Sequence, residues 1–147
     1  MITKPPHIVA ATKYLGWGYA KGVDDDRQLI GCSKLLARAA IDIGIGTKGL
    51  DPGANPQEAV LARFIVENLR GQAHQVPALG DIALFEPSAI DGDENEAHVA
   101  LVDVDSDGRL VLLHACEACG QVTNTDELTT DHPGRVNLVG FVAWPAG

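Results

Sequence analysis

Near Gly80 the spacing of apolar residues changes from the 3.6-residue period of helices to the short β-branched runs of a sheet. Before that point Ile8, Ala11, Tyr14 and Leu15 mark a first helix over His7–Leu15, which runs into Gly16-Trp17-Gly18. Cys32, Leu35, Leu36, Ala39, Ala40 and Ile43 form a second apolar stripe, with Gly44 and Gly46 as its stop. Asn55-Pro56-Gln57-Glu58 has the capping residue, proline and glutamate of a helix start, followed by Val60, Leu61, Phe64, Ile65 and Leu69 and a stop at Gly71. After Gly80 the spacing predicts strands over Asp81–Phe85, His98–Val104, Arg109–Cys116 and Val136–Trp144. N-terminal helices packed on a C-terminal antiparallel sheet make an α+β fold.

Composition bounds the rest. A chain of 147 residues with 46% hydrophobic side chains closes one core, so residues 1–147 are expected to form a single domain. A formal charge of −9 argues against a phosphate backbone as ligand, which excludes DNA and RNA as main partners. No apolar run approaches the roughly 20 residues of a membrane helix. The opening Met1-Ile2-Thr3-Lys4-Pro5-Pro6 lacks the basic start and apolar stretch of a secretory signal. The expectation is a soluble protein made in the cytoplasm, with no membrane partner. Three cysteines cannot all pair within one chain, which directs attention to a reactive thiol.

A thiol attacks as thiolate, and an unperturbed cysteine, with a pKa of about 8.5, is mostly protonated at neutral pH. Cys32 stands at the start of the second helix, where unpaired N–H groups and the positive end of the helix dipole favour an anion. By default a cysteine there is a small core residue, and only a base turns it into a nucleophile. His98 opens a strand directly after the polar loop Asp91–Glu96, and His114 lies on the following strand. Asp105-Ser106-Asp107-Gly108 reads as a type I turn followed by a left-handed glycine. That turn sets Asp105 opposite Arg109, Ala100 opposite His114 and His98 opposite Cys116. His98 and His114 then share one face as diagonal neighbours, about 7–8 Å apart at the backbone. A two-residue turn would put them on opposite faces.

The order Gly31-Cys32-Ser33 at a helix start, Gly80-Asp81 before a strand, His98-Val99-Ala100-Leu101-Val102, then a hairpin into Leu113-His114-Ala115, resembles the NlpC family of cell-wall cysteine peptidases. The resemblance spans most of the chain and implies a papain-like core with no cofactor. It implies Cys32 as nucleophile, His98 as general base and acid, and His114 as the group that orients His98. The family's aromatic Tyr-x-Trp-Gly-Gly is matched loosely by Tyr14-Leu15-Gly16-Trp17-Gly18, which implies Tyr14, together with Ser33, at the oxyanion or substrate-binding site. Gly31 and Lys34 stand where many relatives have aspartate and glycine. The implied reaction is amide hydrolysis through an acyl-enzyme, on peptidoglycan stem peptides. A protein without a leader would reach the cell wall or periplasm by injection, phage delivery, lysis or a signal since removed, and an inhibitor or immunity protein would be a further partner.

Other signals compete. Cys116-Glu117-Ala118-Cys119 beside His114 has metal-ligand types, and a non-enzymatic binding or assembly module with a structural metal at Cys116 and Cys119 is the alternative reading. A single Cys-x-x-Cys is a weak zinc signal, so the expected site holds no metal. Cys116, opposite His98, is the rival nucleophile, but a strand offers it no helix dipole. Asp103–Gly108 mimics the first half of a calcium loop, yet its twelfth position is His114, and a hairpin turn is the simpler reading. Asp24-Asp25-Asp26 and Asp91–Glu96 read as solvated loops. His7, His74 and His132 read as surface or capping residues, and Trp17 and Trp144 as packing residues.

Overall fold

The computed structural model of the chain describes residues 3–19, 28–44, 65–67, 69–86, 98–116, 120–125 and 137–144. Among these, helix α1 (Pro6–Thr12) is followed by strands β1 (Gly18–Tyr19) and β2 (Leu29–Ile30), helix α2 (Cys32–Asp42), and a 3-10 turn at Arg70–Gln72. Strands β3 (Ile82–Glu86), β4 (His98–Val104), β5 (Leu110–Cys116), β6 (Gln121–Thr125) and β7 (Asn137–Val142) complete it. The strands form one sheet in the order β2-β1-β6-β5-β4-β3-β7. Every neighbouring pair is antiparallel except β1 and β2, which run parallel. The α+β layout expected from the change of period is therefore present.

The two helical stripes explain why the helices sit where they do. Residues 32, 35, 36, 39 and 40 of α2 are all buried, spaced so that they share one face. With Ile8 and Ala11 of α1 they meet Val99 and Leu101 of β4, Leu113 and Ala115 of β5, and Val122 of β6 in the main core. Each leucine fully buried there contributes on the order of 1.5–3 kcal/mol. The intervening residues Ala100, Val102 and Leu112 join Ala83, Phe85 and Phe141 in a second cluster. Alternation along each strand assigns these two sets to opposite faces of the sheet. The chain after α1 keeps winding through 3-10-type bonds, Tyr14 N to Ala11 O and Leu15 N to Thr12 O, so the expected helix over His7–Leu15 is an α-helix only to Thr12. The expected third helix is described only in part: residues 65–67 and 69 are helical, and its start at Asn55 lies outside the described residues.

The predicted hairpin register is the one observed. Leu101 pairs with Leu113 and Val102 with Leu112, and Asp105 N bonds Arg109 O at 2.9 Å. Gly108 adopts φ 83° and its N–H bonds Asp105 O, so glycine fills the left-handed position of the turn. Asp105 Oδ1 accepts from the N–H groups of Asp107 and Arg109, the work of a turn carboxylate.

The N-terminal segment is fastened to the same sheet. Lys4 Nζ lies 2.9 Å from the buried Asp103 carboxylate, whose oxygens also accept from Val104 N and Asn124 Nδ2. His7 was expected as a surface or capping residue; the structure buries it instead. Its ring is 6% exposed, stacks on Trp144 at 4.1 Å, and donates from Nε2 to Gly80 O at 2.7 Å. The helical stripe of α1 named its apolar positions but gave no sign that a polar ring would be covered by a C-terminal tryptophan.

Gly80 has φ 95°, and a Cβ there would stand 3.0 Å from Pro5 Cγ and 3.3 Å from His7 Cε1. Gly80→Ala is expected to cost about 1–3 kcal/mol through backbone strain and displacement of α1; an unchanged urea midpoint would contradict this. Burial lowers the His7 pKa from 6.5, against the opposing effects of the Gly80 carbonyl and the Asp81 charge. The folded state therefore binds fewer protons than the unfolded chain. Its contribution is present above pH 6.5 and is lost as pH falls toward the depressed value. Thermal midpoints measured from pH 7.5 to 5 should decline less in His7→Gln than in the wild type.

Candidate active site

The first residue of α2 is Cys32, which is 2% exposed and packs in the main core. Its sulfur is a thiol rather than half of a disulfide. The local sequence puts no acidic side chain at this helix end. Gly31 at the cap has no side chain to offer, the first turn carries no acidic residue, and the helical bonding begins only with Leu35 N to Gly31 O at 3.0 Å. The N–H groups of Cys32, Ser33 and Lys34 thus have no acceptor inside the helix, and they lie at the positive end of its dipole. Ser33 is the second residue of α2; its side chain lies outside the described residues.

On the sheet, His98 Nε2 and His114 Nδ1 are 2.7 Å apart, with ring centroids 5.0 Å apart and planes at 73°. The hairpin register produces this contact by setting the two residues diagonally on one face. His114 is 2% exposed, and its Nε2 lies 3.0 Å from Thr125 Oγ1 on β6. Phe85, paired with His98 across β3 and β4, packs a tilted ring against it at 5.7 Å. A bulge between Leu84 and Phe85, where β3 meets β7, falls beside this contact. His98, His114, Thr125 and Phe85 thus form a continuous group on the face of the second apolar cluster. His98 is also the first residue of β4, and the structure sets it on the face opposite the main core in which Cys32 packs, so the two are not brought together across one face.

Neither Thr125 nor Phe85 was picked out from the sequence. A weak signal for Thr125 existed: Val122-Thr123-Asn124-Thr125 after Gly120 alternates β-branched and polar residues, the pattern of a short strand. The strands β1 and β2 are two residues each, too short to leave a period.

The structure does not bring the Tyr14 hydroxyl to the start of α2. The side chain is buried, donates to Asp42 Oδ2 at 2.7 Å and accepts from Arg38 Nε at 3.0 Å. Asp42 is the last residue of α2, ten residues from Cys32, about 15 Å along the helix axis. The implied oxyanion role of Tyr14 is therefore replaced by a structural one. Burial, then the bond to Asp42, raises the Tyr14 pKa, against the effect of Arg38. For Asp42 burial alone would raise the pKa; the bonds from Tyr14 and Lys13 and the charges of Lys13 and Arg38 outweigh it and leave it lowered.

The Cys116-x-x-Cys119 signal, as a metal site or as rival nucleophile, falls on Cys119 and the Cys116 side chain, both outside the described residues, as are Asp24–Asp26, Asp91–Glu96 and His132. Among the described residues no three His, Cys, Asp or Glu side chains are grouped as metal ligands, and no helix is long and apolar enough to cross a membrane. Comparison with protein-family models, with curated proteins and with solved structures finds no match to the chain.

Tyr14→Phe is expected to lower stability by about 1–2 kcal/mol, because it removes a hydroxyl with two partners, one of them a carboxylate. The rate of Cys32 alkylation should not change. A slowed alkylation at unaltered stability would return Tyr14 to the reactive site.

Proposed function

We propose that the protein is a papain-like cysteine hydrolase of the NlpC type, cleaving amide bonds in peptidoglycan stem peptides. The observation that carries the reading is the 2.7 Å contact between His98 and His114. A general base needs its tautomer held by a second group, and this contact supplies one. The N-terminus of α2 at Cys32, the positive end of the helix dipole, adds a place where a thiolate and an oxyanion are both favoured. The substrate class comes from the family resemblance, and with it the cell wall as the setting of the reaction.

In this reading the Cys32 sulfur attacks the carbonyl carbon and forms a C–S bond, and the negative charge on the oxygen is met by N–H groups of the first turn of α2. The imidazolium of His98 gives its proton to the leaving nitrogen as the C–N bond breaks. Water, deprotonated by His98, then attacks the thioester carbonyl, the C–S bond breaks, and the acid is released with Cys32 restored. Since Nε2 of His98 faces His114, Nδ1 is the nitrogen that exchanges the proton. The reading requires the Cys32 sulfur and His98 Nδ1 to meet, although Cys32 packs in the helix-side core and His98 lies against Phe85 on the other face. It also requires a thiol that is 2% exposed to become accessible to substrate.

Iodoacetamide alkylation of each cysteine across pH, read by peptide mass spectrometry, tests both requirements. Cys32 should react selectively in the native protein below neutral pH, and His98→Ala should slow it by roughly 10²-fold. Digestion of purified peptidoglycan should then release new amino termini in the wild type and none in Cys32→Ser. If Cys32 reacts only after denaturation, it is a core residue and the hydrolase reading falls. Stoichiometric zinc with protection of Cys116 and Cys119 would then favour the binding module.

A further inference from the structure

We propose that Thr125 is a positioning residue that accepts from Nε2–H of His114 and so supports the arrangement in which His98 Nε2 donates to His114 Nδ1 and Nδ1 of His98 is held ready as the base. This rests on the hydrolase reading for its consequence, though the proton arrangement itself can be observed without any reaction. The chain of contacts is continuous: His98 Nε2 to His114 Nδ1 at 2.7 Å, then His114 Nε2 to Thr125 Oγ1 at 3.0 Å.

A hydrogen bond between two ring nitrogens needs one N–H and one lone pair, so a neutral pair has two arrangements. In the first, His98 carries its proton on Nε2 and donates to His114 Nδ1. His114 then has its proton on Nε2 and donates to the Thr125 oxygen, and Nδ1 of His98 has a lone pair. In the second, His114 donates from Nδ1 to Nε2 of His98. His98 then bears its proton on Nδ1 and cannot accept one there, while Thr125 must donate. Only the first arrangement supports the proposed reaction.

The first also survives the reaction unchanged. When Nδ1 of His98 takes a proton, both of its nitrogens are donors, which forces His114 Nδ1 to accept, His114 Nε2 to donate and Thr125 to accept. The bonds that orient the neutral base are those that hold the imidazolium. No proton or hydroxyl need turn between the two states, the condition under which fixed dipoles stabilise charge without reorganising. Register makes Thr125 available: His114 pairs directly with Thr123 and Leu112 with Thr125, which leaves Thr125 diagonal to His114 on the same face.

Ring nitrogen-15 shifts of the full chain, assigned with His98→Gln and His114→Gln, read the proton positions directly. In the wild type both neutral rings should be Nε2–H. A wild-type His114 bearing its proton on Nδ1 would overturn the proposal at once, with no variant needed. Thr125→Val should move the His114 proton to Nδ1 and slow Cys32 alkylation by roughly tenfold or more, and Thr125→Ser should restore both. If Thr125→Val leaves the tautomers and the pH profile of alkylation unaltered, Thr125 only packs. If the wild-type shifts are as expected and depend on Thr125 but Cys32 is inert, the hydrolase reading fails while the positioning of His98 by Thr125 stands.

Discussion

The register of the β4–β5 hairpin governs everything else in the candidate site. Side chains alternate between faces, so sliding β5 by one residue would send His114 into the helix-facing core and bring Leu113 beside His98. The turn prevents that slip. Gly108 takes the left-handed conformation, Asp105 O accepts from its N–H, and Asp105 Oδ1 caps two further N–H groups. The opposite face then gains as well. The same register turns Leu101, Leu113 and Ala115 toward α2, so the contact of two imidazoles and the burial of the main core are set by one loop.

The second constraint is the fastening of the N-terminal segment. Lys4 on Asp103, Pro5 and His7 against Gly80, and Trp144 stacked on His7 hold α1 to β4, to the entry of β3 and to the chain beyond β7. These elements are far apart in sequence, so α1 is held by contacts that only the assembled sheet brings together. The Asp103 charge can be buried because three donors meet it: Lys4 Nζ, Val104 N and Asn124 Nδ2. Tyr14, Arg38 and Asp42 do the corresponding work at the far end of α2, which is why an aromatic residue near the first glycines proved structural.

What could be read in advance follows from which interactions are local. The stripe of α2 and the strand His98–Val104 were legible because each repeats a period over several residues, and the hairpin register because a four-residue turn chemistry determines it. Thr125 and Phe85 were not, since each matters only through a neighbour supplied by a distant strand, and a five-residue β6 of mixed polarity leaves little period to detect. The burial of His7 was hidden for the same reason: its cover is Trp144, 137 residues along the chain.

The pair His98–His114 has a limit that suits the proposed chemistry. With nitrogens 2.7 Å apart, the two rings can share a hydrogen bond when neutral or with one added proton, but two imidazoliums would face N–H to N–H and repel. The pair therefore holds at most one extra proton while its contact lasts, which is the number that acyl transfer moves between thiol, leaving group and water. A neutral orienting ring also stabilises an imidazolium less than a carboxylate would. For an alcohol nucleophile, a very weak acid, that difference would matter greatly. A thiol near 8.5 gives up its proton far more readily, and the positive end of α2 acts in the same direction. In the proposed reading a chain that ends in a threonine hydroxyl instead of a charge is sufficient because the nucleophile is sulfur.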